Sequence, residues 1–197
     1  MIKAVFFDVG GVLIRDDAVK IMQRQSRHFR IPYQDLIHDL RSNRILLMKG
    51  VITRRTYLKR LAQRFGLPPI RTSDLRPFLP RYRYFRGTWA IARRLRRKGY
   101  RVGLITNLVP PLPFGRRLKL SPHFRPIIRS YQVGSVKPER RIYEIARRRA
   151  GVKFSEMAFF DDRMRNIRAA RKLGIHAFLY KNSTQLVRQL RRLRVKI

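Results

Sequence analysis

Residues 3–13 read Lys3-Ala4-Val5-Phe6-Phe7-Asp8-Val9-Gly10-Gly11-Val12-Leu13. The run from Lys3 to Val9 is apolar and of strand length, and the Gly10-Gly11 pair ends it, so it reads as a buried parallel strand entering a tight loop. Further strands are expected at Arg101–Thr106, near Ile127–Val133, at Met157–Phe160 and at His176–Tyr180. Helices are expected at Pro138–Ala150, Arg163–Leu173 and Ser183–Leu193, with one more through Trp89, Ile91, Ala92 and Leu95 that stops at Gly99. Such alternation predicts an α/β fold, a parallel sheet with helices on both faces. From about Arg15 to Arg64 the spacing is helical instead. Ile21, Met22, Gln25 and Phe29 share one face, as do Leu36, Ile37 and Leu40, and then Tyr57, Leu58, Leu61 and Phe65. Gly50, Gly66 and Pro68-Pro69 divide these segments into a small helical bundle, and Pro77, Pro80 and Gly87 mark the return to the core.

In open α/β sheets, ligands sit at the carboxyl ends of the strands. Here the first strand ends at Asp8, the second at Thr106-Asn107 and the fourth at Asp161-Asp162, while Lys137 precedes the helix at Pro138. If these strands are parallel neighbours, the groups converge on one crevice. Three carboxylates held together repel unless a cation lies among them. Oxygen donors suit a hard ion such as Mg²⁺. A hydroxyl, an amide and an ammonium supply partners for phosphate oxygens, and the combination favours an aspartyl-phosphate route over attack by water alone.

These segments also resemble a known family. Phe7-Asp8-Val9-Gly10-Gly11-Val12-Leu13 is similar to the first motif of the haloacid dehalogenase-like (HAD) hydrolases, and Leu104-Ile105-Thr106-Asn107 to the second. Gly134-Ser135-Val136-Lys137-Pro138, followed by Ile142-Tyr143, resembles the third. Phe160-Asp161-Asp162, with Asn166, Ala169-Ala170 and Gly174 beyond, resembles the fourth. All four stand in the family's order. The resemblance implies a Rossmann-like core of residues 1–14 and 86–197 with a helical cap, residues 15–85, inserted after the first strand. It implies Asp8 as nucleophile, with Thr106, Asn107 and Lys137 on the phosphoryl group and Gly11 in the substrate-binding loop. It further implies that Asp8, the Gly10 carbonyl and Asp162 ligate Mg²⁺, with Asp161 acting through water. The expected activity is hydrolysis of a small phosphate monoester.

One position departs from that pattern. Phosphatases of the superfamily carry a second Asp two residues after the nucleophile, as acid for the leaving group; here the residue is Gly10. Losing a positioned acid costs about 10²–10⁴ in rate, so slow hydrolysis is expected, best for leaving groups that need little protonation. Asp16 and Asp17 are candidate replacements, although their reading as residues facing a helix dipole is better supported.

Hydrophobic residues make up 44% of the 197, enough to bury a core. The absence of cysteine excludes a disulfide scaffold, a Cys-containing zinc site and a thiol nucleophile. His28, His38, His123 and His176 show no metal-ligand spacing. No window approaches the roughly 18 apolar residues of a membrane span, and the start of the chain lacks the features of a signal peptide. A soluble, cytoplasmic protein is the expectation.

The charge is unusual. Against 11 Asp+Glu stand 48 Lys+Arg, a formal net charge of +37. Between Asp39 and Glu139 the sole acid is Asp74, and helix faces carry like-charged pairs such as Arg93 with Arg97 and Arg188 with Arg192. Each pair costs about 0.2–0.5 kcal/mol. Three origins compete: a natural polyanion binder, for instance one recruited to an RNA-rich particle; a surface recoloured by design around a spared site; and an unusual cellular milieu. An even spread over cap and core fits redesign better than a single binding face. Either way non-specific nucleic acid, or another polyanion, is expected as a partner beside the phosphorylated substrate, with binding that weakens as salt rises. The alternative to an enzyme is therefore a catalytically weak or inactive protein of this fold that works by binding RNA or other polyanions.

Overall fold

Ala4, Val5, Phe6 and Phe7 are all fully buried, which places strand β1 (Ala4–Phe7) at the centre of the molecule with both of its faces covered. The computed structural model describes residues 1–15, 17–110, 120 and 123–197. After β1 come β2 (Ile14–Arg15), α1 (Ala18–Phe29), α2 (Tyr33–Met48) and α3 (Arg54–Arg64). A 3₁₀ stretch at Thr72–Phe78 leads to β3 (Arg83–Tyr84), α4 (Arg86–Arg97) and β4 (Arg101–Thr106). The chain then runs through β5 (Ile127–Arg129), α5 (Ser130–Val133), α6 (Arg140–Ala150) and β6 (Met157–Asp161). It ends with α7 (Met164–Lys172), β7 (His176–Leu179) and α8 (Ser183–Arg192).

The main sheet has the order β5-β4-β1-β6-β7 and every pairing is parallel. Side chains alternate across it. Val5, Phe7, Leu104 and Phe160 point to a layer formed by α4 and α8, through Trp89, Leu95, Leu186 and Leu190. Ala4, Phe6, Ile105 and Phe159 point the other way, to α6 and α7, through Ile142, Tyr143, Ala146 and Ile167. The apolar stripe of α4 (Trp89, Ala92, Leu95) has the helical period, and its outward positions are arginines.

A third apolar cluster belongs to α1, α2, α3 and the 3₁₀ stretch, and contains Ile31, Leu36, Leu47, Tyr57, Leu58, Leu61 and Phe78. The chain enters and leaves this helical unit through an antiparallel ribbon that pairs Ile14 with Tyr84 and Arg15 with Arg83. Two ties join the unit to the sheet domain: Lys49 to Glu139 at 2.6 Å, and the Arg54 guanidinium, which donates to the Pro110 carbonyl at 2.6 Å.

The α/β expectation holds, with local differences. The strand expected near Ile127–Val133 stops at Arg129, and Ser130–Val133 is one helical turn. The reason is side-chain chemistry: the Ser130 hydroxyl accepts from the Leu108 N–H and donates to the Leu108 carbonyl, both at 3.1 Å, which competes with a sheet ladder. Helix α6 starts at Arg140 rather than Pro138. Tyr84 meets Trp89 edge-on at 5.7 Å, and Phe85 lies against Tyr180 at 6.3 Å. Among the described residues, no helix is long and apolar enough to cross a membrane.

Leu95 is fully buried between α4 and the sheet. Leu95→Ala is expected to lower unfolding free energy by about 2–5 kcal/mol in urea titrations, leaving the helical unit's own core intact.

Candidate active site

Three strand ends and one loop supply the site. Asp8 follows β1, and its N–H donates to the Phe160 carbonyl at 2.9 Å, which locks it beside the end of β6. Asp161 is the last residue of β6, and Asp162 the next. Thr106 ends β4, and Lys137 lies in the loop between α5 and α6. Carboxylate oxygens of Asp8, Asp161 and Asp162 all lie within 4.8 Å of one another. The four segments thus meet where the strand ends predict.

Lys137, only 2% exposed, holds the cluster together. Its ammonium lies 2.9 Å from Asp8 Oδ1 and 2.6 Å from Asp161 Oδ2, and 5.5 Å from the centre of the Phe159 ring. Asp161 has no further capacity to spare. Its Oδ1 accepts from the Arg163 N–H at 2.8 Å and from Asn166 Nδ2 at 2.9 Å, and Oδ2 accepts from the same amide at 3.0 Å besides Lys137. Asp8 Oδ1 also accepts from the Val9 N–H at 2.7 Å, while its Oδ2 receives no hydrogen bond among the described residues. Asp162 is exposed, with Arg163 Nε 4.0 Å away.

The charge balance points to a divalent cation. Three carboxylates face one buried ammonium and a guanidinium 4.0 Å from Asp162, which leaves negative charge in excess, and all the donors are oxygens; this donor set fits Mg²⁺. Burial raises the Asp8 carboxyl from its usual 3.8 to about 6; the Lys137 ammonium opposes the rise and Asp161 adds to it. Asp162 is raised too, first by burial and then by the neighbouring Asp161 charge. Carboxyls pushed upward in this way are relieved when a cation binds.

Two of the expected residues have partners within the loops themselves. The Asn107 side chain grips the Lys137 backbone: its Oδ1 accepts from the Lys137 N–H at 2.8 Å and one Nδ2 N–H donates to the Lys137 carbonyl at 2.9 Å. It therefore sets the position of the lysine. The Gly11 N–H donates to the Ile14 carbonyl at 2.8 Å. Its contribution is the lack of a side chain, since φ is +75° and an added Cβ would collide with the Asp162 carboxylate. Gly10 is different: it is exposed, and a Cβ there would meet nothing within 4 Å.

The Thr106 side chain is 1% exposed, and its hydroxyl has no protein partner among the described residues, so it is available to a ligand. Asp17 is the N-cap residue of α1, and its side chain accepts none of the helix N–H groups; Asp16 lies outside the described residues. No histidine joins the carboxylate cluster among the described residues.

Glu139 was missed by the sequence reading. It accepts from the Ser135 hydroxyl at 2.9 Å and the Val136 N–H at 3.3 Å, and its ion pair with Lys49 ties the lysine loop to the helical unit. Burial pushes its carboxyl up, but these partners hold it below the usual range. A signal was present: Glu139 is the first acid after Asp74 and stands two residues from Lys137.

A sequence model of haloacid dehalogenase-like hydrolases matches residues 2–174. Bifunctional epoxide hydrolase 2 of Mus musculus is 38% identical over 72 residues, which are 36% of this chain and 13% of that protein. The chain thus corresponds to a small part of the length of that curated relative. Among solved structures, a HAD-like family hydrolase from Porphyromonas gingivalis superposes with a TM-score of 0.78 at 24% identity, covering 100% of both chains. The magnesium complex of a HAD family enzyme from Bacteroides thetaiotaomicron gives 0.76 at 23% identity, over 95% of this chain and 98% of that one. Both share the fold.

The raised Asp8 carboxyl has a consequence for stability. The metal-free folded state binds its proton more tightly than the unfolded chain, a contribution fully present below pH 3.8 and lost as pH rises through about 6. A divalent cation needs the carboxylate, so Mg²⁺ is expected to raise the melting temperature more at pH 7.5 than at pH 5, read by paired thermal scans with Mg²⁺ or chelator. An equal increment at both pH values would count against the site.

Proposed function

The chain belongs to the haloacid dehalogenase-like hydrolase family, and from that premise we propose that it hydrolyses small phosphate monoesters through a phospho-aspartate at Asp8. The observation that carries this reading is the Lys137 ammonium 2.9 Å from Asp8 Oδ1, with Asp8 Oδ2 left unbonded beside two further carboxylates. A lysine bridged this way orients the carboxylate and leaves one oxygen as nucleophile.

Asp8 Oδ2 attacks phosphorus in line, the bond from phosphorus to the ester oxygen breaks, and the phosphoryl group passes to the carboxylate as an acyl phosphate. The Thr106 hydroxyl donates to a phosphoryl oxygen, and Lys137 supplies positive charge next to the attacking group. Asn107 keeps Lys137 in place through its two backbone hydrogen bonds. Asp161, whose oxygens accept from Asn166, Arg163 and Lys137, acts as the counter-charge of the lysine. Asp8, the Gly10 carbonyl and Asp162 would hold Mg²⁺, which when bound neutralises the repulsion between the carboxylate and the phosphate dianion. Water then cleaves the acyl phosphate, releasing inorganic phosphate and restoring Asp8.

Residues 15–85 serve as the cap. The β2–β3 ribbon forms their root, and the Lys49–Glu139 pair links cap position to the loop that carries Lys137. With Gly10 in place of an acid, the leaving group takes its proton from water, which favours aryl, acyl or anomeric sugar phosphates over alkyl ones.

Turnover of an aryl phosphate with Mg²⁺, measured as phosphate release, is expected for the native protein and is lost in Asp8→Asn. Absence of turnover in the native protein across a panel of such esters would sink the reading and favour the polyanion-binding alternative. Because a side chain at Gly10 has open space, Gly10→Asp is expected to raise alkyl phosphate turnover by about 10²–10⁴ while changing aryl phosphates far less. A steep rate dependence on leaving-group pKa in the native protein, flattened in the variant, is the matching readout.

A further inference from the structure

The cations of this molecule are spread widely, but its carboxylates are not. No acid occurs between Asp74 and Glu139, or after Asp162, so the layer made by α4 and α8 contains none. The opposite side of the core holds Glu139, Glu144 and Glu156, ion-paired with Lys49, Arg140 and Lys3 at 2.6 Å each. One sheet face is therefore covered by a purely cationic layer and the other by a mixed one.

Helices α4 and α8 run side by side along their length. Near their starts, a Cβ on Gly87 would lie 2.7 Å from the Ser183 hydroxyl, and the Thr88 and Tyr180 hydroxyls are 2.7 Å apart. Near their ends, the Lys196 N–H donates to the Tyr100 hydroxyl at 2.9 Å. The two are thus parallel neighbours, with buried stripes turned to the sheet and arginines turned to solvent. Arg93, Arg96 and Arg97 form an exposed row on α4, and Arg188, Arg191 and Arg192 a second row on α8. Favourable interaction with the helix C-terminal dipole accounts for the last-turn arginines, but not for Arg93 and Arg188 one turn earlier, each repelling its own partner at i+4.

We propose that the α4–α8 face docks the phosphate backbone of double-stranded DNA. Packed helices lie about 8–10 Å apart, so the two arginine rows match the strands bordering the roughly 6 Å-wide minor groove of B-form DNA, whereas the minor groove of duplex RNA is wide and shallow. The rows Arg93 to Arg97 and Arg188 to Arg192 each span about 6 Å, over which a duplex carries about four phosphates. Arg93, Arg97, Arg188 and Arg192 answer that number; a single strand offers half the density. The apolar residues of this layer point inward, which removes the base-stacking platform that single strands need.

The face is also separate from the catalytic edge. Both rows lie toward the helix C-termini, and α4 leads into Arg101, which pairs with Ala4 at the end of the sheet opposite Asp8. DNA held there leaves the carboxylate crevice open, so the surface works whether or not the chain turns over phosphate esters.

The test uses the full chain and fluorescence anisotropy with a labelled DNA duplex of about two helical turns, between about 50 and 200 mM salt. The quadruple change Arg93→Gln, Arg97→Gln, Arg188→Gln and Arg192→Gln is expected to weaken binding about tenfold or more and to flatten the log–log salt slope by about 3 to 4. The control Arg141→Gln, Arg148→Gln, Arg149→Gln and Arg168→Gln removes equal charge from exposed positions on α6 and α7, and is expected to shift affinity less than about threefold. The pairwise variants Arg93→Gln with Arg97→Gln, and Arg188→Gln with Arg192→Gln, each take about half of the slope change, so the result does not hang on one protein folding; circular dichroism melts check each. Equal losses in the quadruple variant and the control would mean that net charge alone acts, and would overturn the proposal. A native protein that binds no duplex, or that binds the single strand or an RNA duplex of the same sequence as tightly, overturns it as well.

Discussion

The Lys137 ammonium between Asp8 and Asp161 is the interaction on which the rest of the site depends. Two buried carboxylates a few ångströms apart cannot both stay charged in an apolar interior without a counter-charge. Lys137 provides it at 2.9 and 2.6 Å, and this ties the loop after α5 to the ends of β1 and β6. A lysine side chain is flexible, so its position must come from elsewhere. Asn107 clamps its backbone from the end of β4, and Asn166 holds Asp161 from α7. Four segments distant along the chain are thereby coupled through one buried cation, and the crevice exists only when all four are in place.

The buried acids among the described residues all have cationic partners. Asp8 and Asp161 share Lys137, Asp39 is buried against Arg64, and Glu139 joins Lys49 to the lysine loop. Exposed carboxylates are scarce, and helix surfaces that would ordinarily mix both signs are arginine-rich. The folded core tolerates this because three apolar clusters, one on each face of the sheet and one in the helical unit, are closed to water independently of the surface charge. Depletion of acids is complete on the α4–α8 layer, where no buried site demands one.

The family relationship and the geometry act at different levels. Membership in the haloacid dehalogenase-like hydrolases accounts for the sheet order and the convergence of strand ends. It does not determine what Gly10 and the cap surface select. Those properties reside in individual positions: an open site at Gly10, a Thr106 hydroxyl without a partner among the described residues, and a helical unit tied down through Lys49 and Arg54.

The sequence by itself determined the architecture and the chemical character of the site. Unbroken apolar strands ending in Asp8, Thr106 and Asp161 specify a buried parallel sheet with polar groups at one edge, because only strands covered on both faces can be apolar throughout. Residue identity also showed the missing acid at Gly10. Tertiary structure alone decided which polar atoms remain free. Asn107 and Gly11 belong to the expected motif loops, yet the amide of the first is engaged with Lys137 and the N–H of the second with Ile14, whereas Thr106 is left open. Likewise, only packing revealed that α4 and α8 lie parallel and form one continuous acid-free layer. A side chain's type is local information, but its partner is set by what the fold brings within about 3 Å of it, and hydrogen bonding is exhausted by whichever group arrives.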